Sequence, residues 1–188
     1  MENTLEEKVK KSIEILRDKK ARIYFLVQDT KGNAKGSVRL IYQMAKTLLD
    51  AGYNPIILHE KPDYAGVVAW MDEEYMSIPH RAIQGQNLEI SPEDFIVVPE
   101  VFAFIMEQIK SLPCAKIVFT QNYSHIVETL QPGQTWAQYG FLKCLTTTER
   151  QREYVEKVMR QSSFDIIKPL ITDSFKPKST PAMPIIGV

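Results

Sequence analysis

Cysteine is scarce in this chain: Cys114 and Cys144 are the only two among 188 residues. That count gives no basis for the disulfide framework on which small secreted domains are built. Neither cysteine has a Cys or His neighbour at metal-ligand spacing, and both sit beside apolar runs. Two buried free thiols are expected, and no metal site. Charge of one sign is missing as well. Lys+Arg and Asp+Glu both number 23, so the formal net charge is zero. This argues against duplex nucleic acid as the main partner, because phosphate binding needs a positive surplus. No apolar run approaches the roughly 20 residues of a membrane span, so no transmembrane segment is expected. The opening residues, MENTLEEKVKK, are charged and lack the apolar region of a secretory leader. A cytoplasmic protein is expected, with the inner membrane surface as an alternative place of work. Internal repeats and low-complexity tracts are also lacking.

What remains is the composition of a folded domain with a substantial core, 44% hydrophobic and 24% charged. Leu5, Val9, Ile13 and Leu16 recur at helical spacing among charged residues. They predict an amphipathic helix within residues 1–20 that packs on the domain. The run RIYFLVQ, residues 22–28, suits a strand buried on both faces, as in a parallel sheet. A helix over 36–51 follows, with Val38, Ile41, Met44, Ala45, Leu48 and Leu49 in one stripe and Gly52 placed to end it. NPIILH, 54–59, is the next strand. The stretch 64–85 has no clean period; it predicts a short helix near 65–72 and a short strand near 80–84. Beyond it, strands are expected at FIVV before Pro99, at 115–122, at 141–147 and at 164–169. Helices are expected over 101–112 and from a capping box at Thr146 and Glu149 through Met159, with Tyr154, Val155, Val158 and Met159 inward. The proline-containing end, 178–188, predicts a linker or tail. The alternation of strands and helices predicts an α/β fold: a Rossmann-like, doubly wound, mainly parallel sheet with helices on both faces, over 21–177.

In such sheets ligands bind outside the carboxyl ends of the strands. That edge holds Gln28, Asp29 and the loop from Lys31 to Ser37, then His59 and Glu60, then Glu100. Gln121, Asn122, Tyr123, Ser124 and His125 follow the next strand, and Thr146 and Thr147 the one after. The loop TKGNAKGS fails two phosphate-binding patterns. A P-loop carries its lysine after the second glycine, whereas Lys35 precedes Gly36. A dinucleotide fingerprint needs a third glycine. Gly32 and Gly36 still permit a tight turn into a helix whose free N–H groups suit an anionic or hydroxyl-rich ligand, and a connection without any ligand fits them equally. Of three histidines, His59, His80 and His125, the last is best placed for acid–base work. A solitary loop histidine is, however, more often structural. No hydrolase triad has supporting context. Trp136 could stack on a sugar or base, although packing within its loop is the commoner role. The pairs Glu73/Glu74 and Glu93/Asp94 fit a surface turn and an element cap better than a catalytic dyad.

Three passages taken in order resemble the N-terminal domain of GT-B-fold glycosyltransferases of the group 1 kind. They are IYFLVQDTKGNAKGSVRLIYQMAKTLLDAGYNPIIL, KIVFTQNYSHIVETL, and FLKCLTTTERQREYVEKVMRQSSFDIIKPLITDSFKP. The likeness runs over about residues 21–177 and lies in the order of loose motifs. It implies the acceptor-side half of an enzyme moving a sugar from a nucleotide-sugar to a saccharide or related acceptor. It implies a second Rossmann-like domain, in cis or in trans, no cofactor and no essential metal. By the same likeness Gly32, Gly36 and Ser37 face the donor phosphates or the acceptor, and Gln121, Asn122 and Tyr123 line the acceptor side. His125 is the candidate for the family's catalytic histidine, on its place after the strand and not on an aligned motif. Two other readings stay open: a non-catalytic α/β module binding a ligand or protein, and an independent small nucleotide-binding protein.

Overall fold

A computed structural model describes residues 21–63, 69–85, 87–159 and 163–169. The expected helix within 1–20, half of that near 65–72 (residues 65–68) and the tail at 178–188 lie outside these residues; the described remainder, 69–72, is a turn and bend and not a helix. The strands are β1 (Arg22–Val27), β2 (Asn54–His59), β3 (His80–Ala82), β4 (Phe95–Pro99), β5 (Ala115–Thr120), β6 (Phe141–Thr146) and β7 (Phe164–Ile166). The helices are α1 (Gly36–Asp50), α2 (Ala103–Ile109), α3 (Ser124–Thr129) and α4 (Glu149–Met159). Short 3-10 turns lie at Glu73–Ser77, Glu100–Phe102 and Trp136–Tyr139. All seven strands are parallel, in the order β3-β2-β1-β4-β5-β6-β7. The α/β, Rossmann-like reading of the sequence therefore holds.

Each central strand is apolar on both sides because each side meets a different core. On one face Phe25 and Val27 of β1 meet Val38, Ile41, Tyr42 and Ala45 of α1. On the other, Tyr24 and Leu26 meet a core supplied by α2, α3 and α4 through Met106, Ile126 and Val155. Trp136 lies in that second core with 1% of its surface exposed, so it packs its loop and has no free face for a sugar. Both cysteines are buried free thiols. Burial raises both, Cys144 to about 12, which keeps them protonated and unreactive.

Gly52 ends α1 as expected. Its φ is +85°, its N–H donates to the Leu49 carbonyl, and the Tyr53 N–H donates to that of Leu48. This pair of bonds is a Schellman motif. The start of α4 differs from expectation. Thr148, not Thr146, caps it: the Thr148 hydroxyl accepts from the Gln151 N–H at 3.1 Å and its carbonyl from the Arg152 N–H at 3.1 Å. The Gln151 side chain reaches back to the Thr147 N–H at 3.0 Å. Three consecutive threonines made several registers equally plausible in sequence. Val158 is also 45% exposed, because α4 turns only Val155 and Met159 fully inward. Replacing Thr148 by alanine is expected to cost about 1 kcal/mol in a urea titration, the usual worth of an N-cap.

The expected strand bounds also shorten. β5 stops at Thr120, β6 at Thr146 and β7 at Ile166. The helix expected over 101–112 begins as the 3-10 turn at Glu100 and is regular only over Ala103–Ile109. That early turn brings Glu100 under the edge of the sheet.

Candidate functional site

The direction of winding reverses between β1 and β4: β1 leads outward to β2 and β3, β4 to β5, β6 and β7. Connections leaving neighbouring strands to opposite faces open a crevice at that point. A cavity of about 440 Å³ occupies it. Gln28 enters from the end of β1, Lys35 and Ser37 from the start of α1, and Glu100 from the end of β4. Gln121, Asn122 and His125 come from the end of β5. Four expected site residues, Ser37, Gln121, Asn122 and His125, are thus brought together although 84 positions separate Ser37 from Gln121. The Gln121 side-chain amide donates to the Ser37 carbonyl at 3.1 Å and ties the two walls.

Glu100 organises this end. Its side chain is almost fully buried. The Asn122 N–H donates to Oε1 at 2.8 Å and the Gln121 N–H to Oε2 at 3.2 Å. His125 Nδ1 lies 3.3 Å from Oε1. Burial pushes the Glu100 carboxyl above the usual carboxylate range, against the pull of those N–H bonds and of His125. The strand-end rule placed Glu100 at the edge, but its bond to His125 joins residues 25 apart and has no sequence signature. His125 stands on the first turn of α3, where Asn122 Oδ1 accepts from the Ser124 N–H at 3.1 Å and its hydroxyl at 2.9 Å. Its side chain is 35% exposed and lines the cavity. A carboxylate at Nδ1 selects the tautomer with the proton on Nδ1, so Nε2 carries the lone pair.

Comparison with protein-family models and with curated proteins finds no match for this chain.

The glycine loop after β1 is a closed turn. Lys31 and Gly32 both have positive φ, +50° and +81°, and the Asn33 N–H returns to the Thr30 carbonyl at 3.0 Å. Two positive φ values in the middle are the mark of a type I′ turn. Asp29 Oδ1 accepts from the Lys31 N–H at 2.9 Å, and the Trp70 indole donates to the buried Thr30 hydroxyl at 2.8 Å. Gly32 and Gly36 are exposed and do not line the cavity. Glycine at 32 serves the turn. Tyr123 also lies off the cavity, against Tyr154 with ring centroids 4.9 Å apart. The start of α1 does reach it. Among the described residues no side chain caps that helix end, and its first turn holds no acid; the partial positive charge of the helix suits an anionic ligand there.

The other two histidines do not line the crevice. His59 ends β2 and His80 opens β3; their rings stack with centroids 5.1 Å apart, and His59 Nε2 lies 3.0 Å from His80 Nδ1. Burial is the main cause that lowers both, His59 to about 3. Among the described residues no group of three or more His, Cys, Asp or Glu side chains is gathered as a metal would require. No helix among them is long and apolar enough to cross a membrane.

Proposed function

We propose that the crevice is the acceptor side of a glycosyltransferase active site, in the first Rossmann-like half of an enzyme that transfers a sugar from a nucleotide-sugar to a saccharide or related hydroxyl. The observation that carries this reading is the pairing of His125 with the buried Glu100 beside the cavity. In the reaction an acceptor oxygen bonds to the anomeric carbon and gives its proton to His125 Nε2. The bond from that carbon to the donor phosphate breaks, and its electron pair leaves with the nucleotide. The imidazolium so formed gains from a carboxylate held at Nδ1 in a site of low dielectric. The uncapped start of α1 offers its N–H groups to phosphate or hydroxyl oxygens across the crevice. A second Rossmann-like domain, in cis or in trans, supplies most of the donor site.

The test has two parts. In the assembled enzyme, His125→Asn should lower transfer about 10²-fold with the thermal midpoint unchanged, as removal of a general base does. Transfer at the wild-type rate would remove His125 from the chemistry. In the present chain, oligosaccharides or nucleotide-sugars should shift the amide resonances of Ser37, Gln121 and Asn122. If neither does while a protein partner shifts them, the crevice belongs to a non-catalytic binding module.

A further inference from the structure

Gln151 is the third residue of α4, the position from which the Gln or Glu of a capping box turns back to the N–H of the cap residue. The cap is Thr148, and the Gln151 side chain overshoots it by one residue. Its Oε1 accepts from the Thr147 N–H at 3.0 Å and from the Thr147 hydroxyl. A backbone N–H can only donate, so the atom facing it is the amide oxygen and the other end is the NH2 group. That Nε2 donates to the Gln121 carbonyl at 2.5 Å, across 30 positions of the chain. Gln121 stands one residue past Thr120, the last residue of β5 in register with β6. Its carbonyl therefore lies beyond that ladder and takes its hydrogen bond from a side chain. Gln151 itself is half-buried and does not line the crevice.

The Gln121 carbonyl and the Asn122 N–H belong to one peptide unit. That unit is planar, and in the trans form its oxygen and hydrogen point in opposite directions. Fixing the oxygen therefore aims the hydrogen. The Asn122 N–H meets Glu100 Oε1 at 2.8 Å, and the same oxygen lies 3.3 Å from His125 Nδ1. We infer that Gln151 is a positioning residue for His125: it acts through the peptide between Gln121 and Asn122 and through the Glu100 carboxylate, and sets the imidazole without touching it. Its bearing on catalysis rests on the reading of His125 as the base. Helix capping alone accepts glutamate at this position as readily as glutamine. Only the amide serves both neighbours, because it accepts from Thr147 with one end and donates to the Gln121 carbonyl with the other. An ionised glutamate would set a second oxygen, with no hydrogen to give, against that carbonyl.

The experiment compares Gln151→Glu, Gln151→Met and Thr148→Ala in the full chain. The glutamate keeps the bonds to Thr147 and loses the one to Gln121, and the methionine loses them all. The alanine weakens the cap of α4 and leaves the Gln121 bond in place. In both Gln151 variants the Asn122 amide should exchange with solvent roughly 3- to 10-fold faster, the equivalent of about one net hydrogen bond. The long-range proton–nitrogen spectrum of the His125 ring should move from the Nδ1–H form toward the Nε2–H form. Thr148→Ala should lower the urea midpoint and change neither. In the assembled enzyme, Gln151→Glu should lower kcat by roughly the same 3- to 10-fold, with KM close to wild type. An unchanged ring spectrum in either Gln151 variant would overturn the inference, as would the same spectral change in Thr148→Ala. A moved ring spectrum with transfer at the wild-type rate would instead keep the positioning and remove His125 from the chemistry.

Discussion

Asp94→Ala is expected to destabilise the domain by about 3 kcal/mol, toward the lower end of what breaking a buried ion pair costs. Asp94 has no exposed side-chain surface and precedes β4. Its carboxylate accepts from the Arg22 N–H at 2.8 Å, from Arg22 Nε at 3.2 Å and Nη2 at 2.8 Å, and from the Ser91 N–H at 2.8 Å. One side chain thereby joins the beginning of β1 to the beginning of β4. Alanine would leave two backbone N–H groups without this acceptor and a guanidinium without its partner. The loss stays at the lower end because Arg22, 33% exposed, can turn to water. The thermal midpoint should fall by roughly 6–12 °C. A fall of less than a degree or two would show that the network contributes nothing net. The pH dependence has a definite sign. Burial alone would raise the Asp94 carboxyl, but the hydrogen bonds from Arg22 and Ser91 outweigh it and hold it below its ordinary 3.8. Its stabilisation is therefore present above that value and is lost as pH falls through the lower, folded value.

The second large effect lies at milder acidity. His59 is lowered from 6.5 to about 3 by burial first and by His80 second, with Asp29 opposing. The unfolded chain takes up this proton below about pH 6.5, whereas the folded one refuses it until near 3. Stability is thus full above 6.5 and falls progressively below it. His59 alone accounts for about 2 kcal/mol at pH 5, and His80, lowered in the same direction, adds to it. Urea titrations at pH 8 and pH 5 measure this directly. Equal midpoints, or a His59 ring resonance that titrates near 6.5 in the folded protein, would show that the pair is not held neutral.

The contrast between these two sites and the crevice shows what a sequence carries. β1, α1 and β2 were legible because an unbroken apolar run, a 3.6-residue stripe and a terminal glycine each have one physical meaning. Ser37, Gln121, Asn122 and His125 were found by the rule about strand ends, which depends only on strand order. The rule also nominated His59, which is buried against His80 and does not line the crevice. Gly32 and Gly36 attracted attention as phosphate-loop residues, yet the turn at Lys31 and Gly32 satisfies its own backbone. The Glu100–His125 and Arg22–Asp94 pairs were invisible, since they join residues 25 and 72 apart through tertiary geometry. The cap of α4 was missed by two residues because a threonine triplet offers the same chemistry three times.

The pairing of β1 with β4 has a consequence for the order of assembly. Ile23 lies beside Phe95, although α1, β2 and β3 lie between them in the chain. A chain emerging from the ribosome can form β1, α1 and β2 early, because those contacts are near in sequence. The crevice cannot exist until β4 and then β5 have been synthesised and seated next to β1. Contacts so distant form late and slowly. The crevice therefore cannot form before β5 and the turn carrying His125 have been made, and a nascent chain that stops after β3 holds only one wall of it.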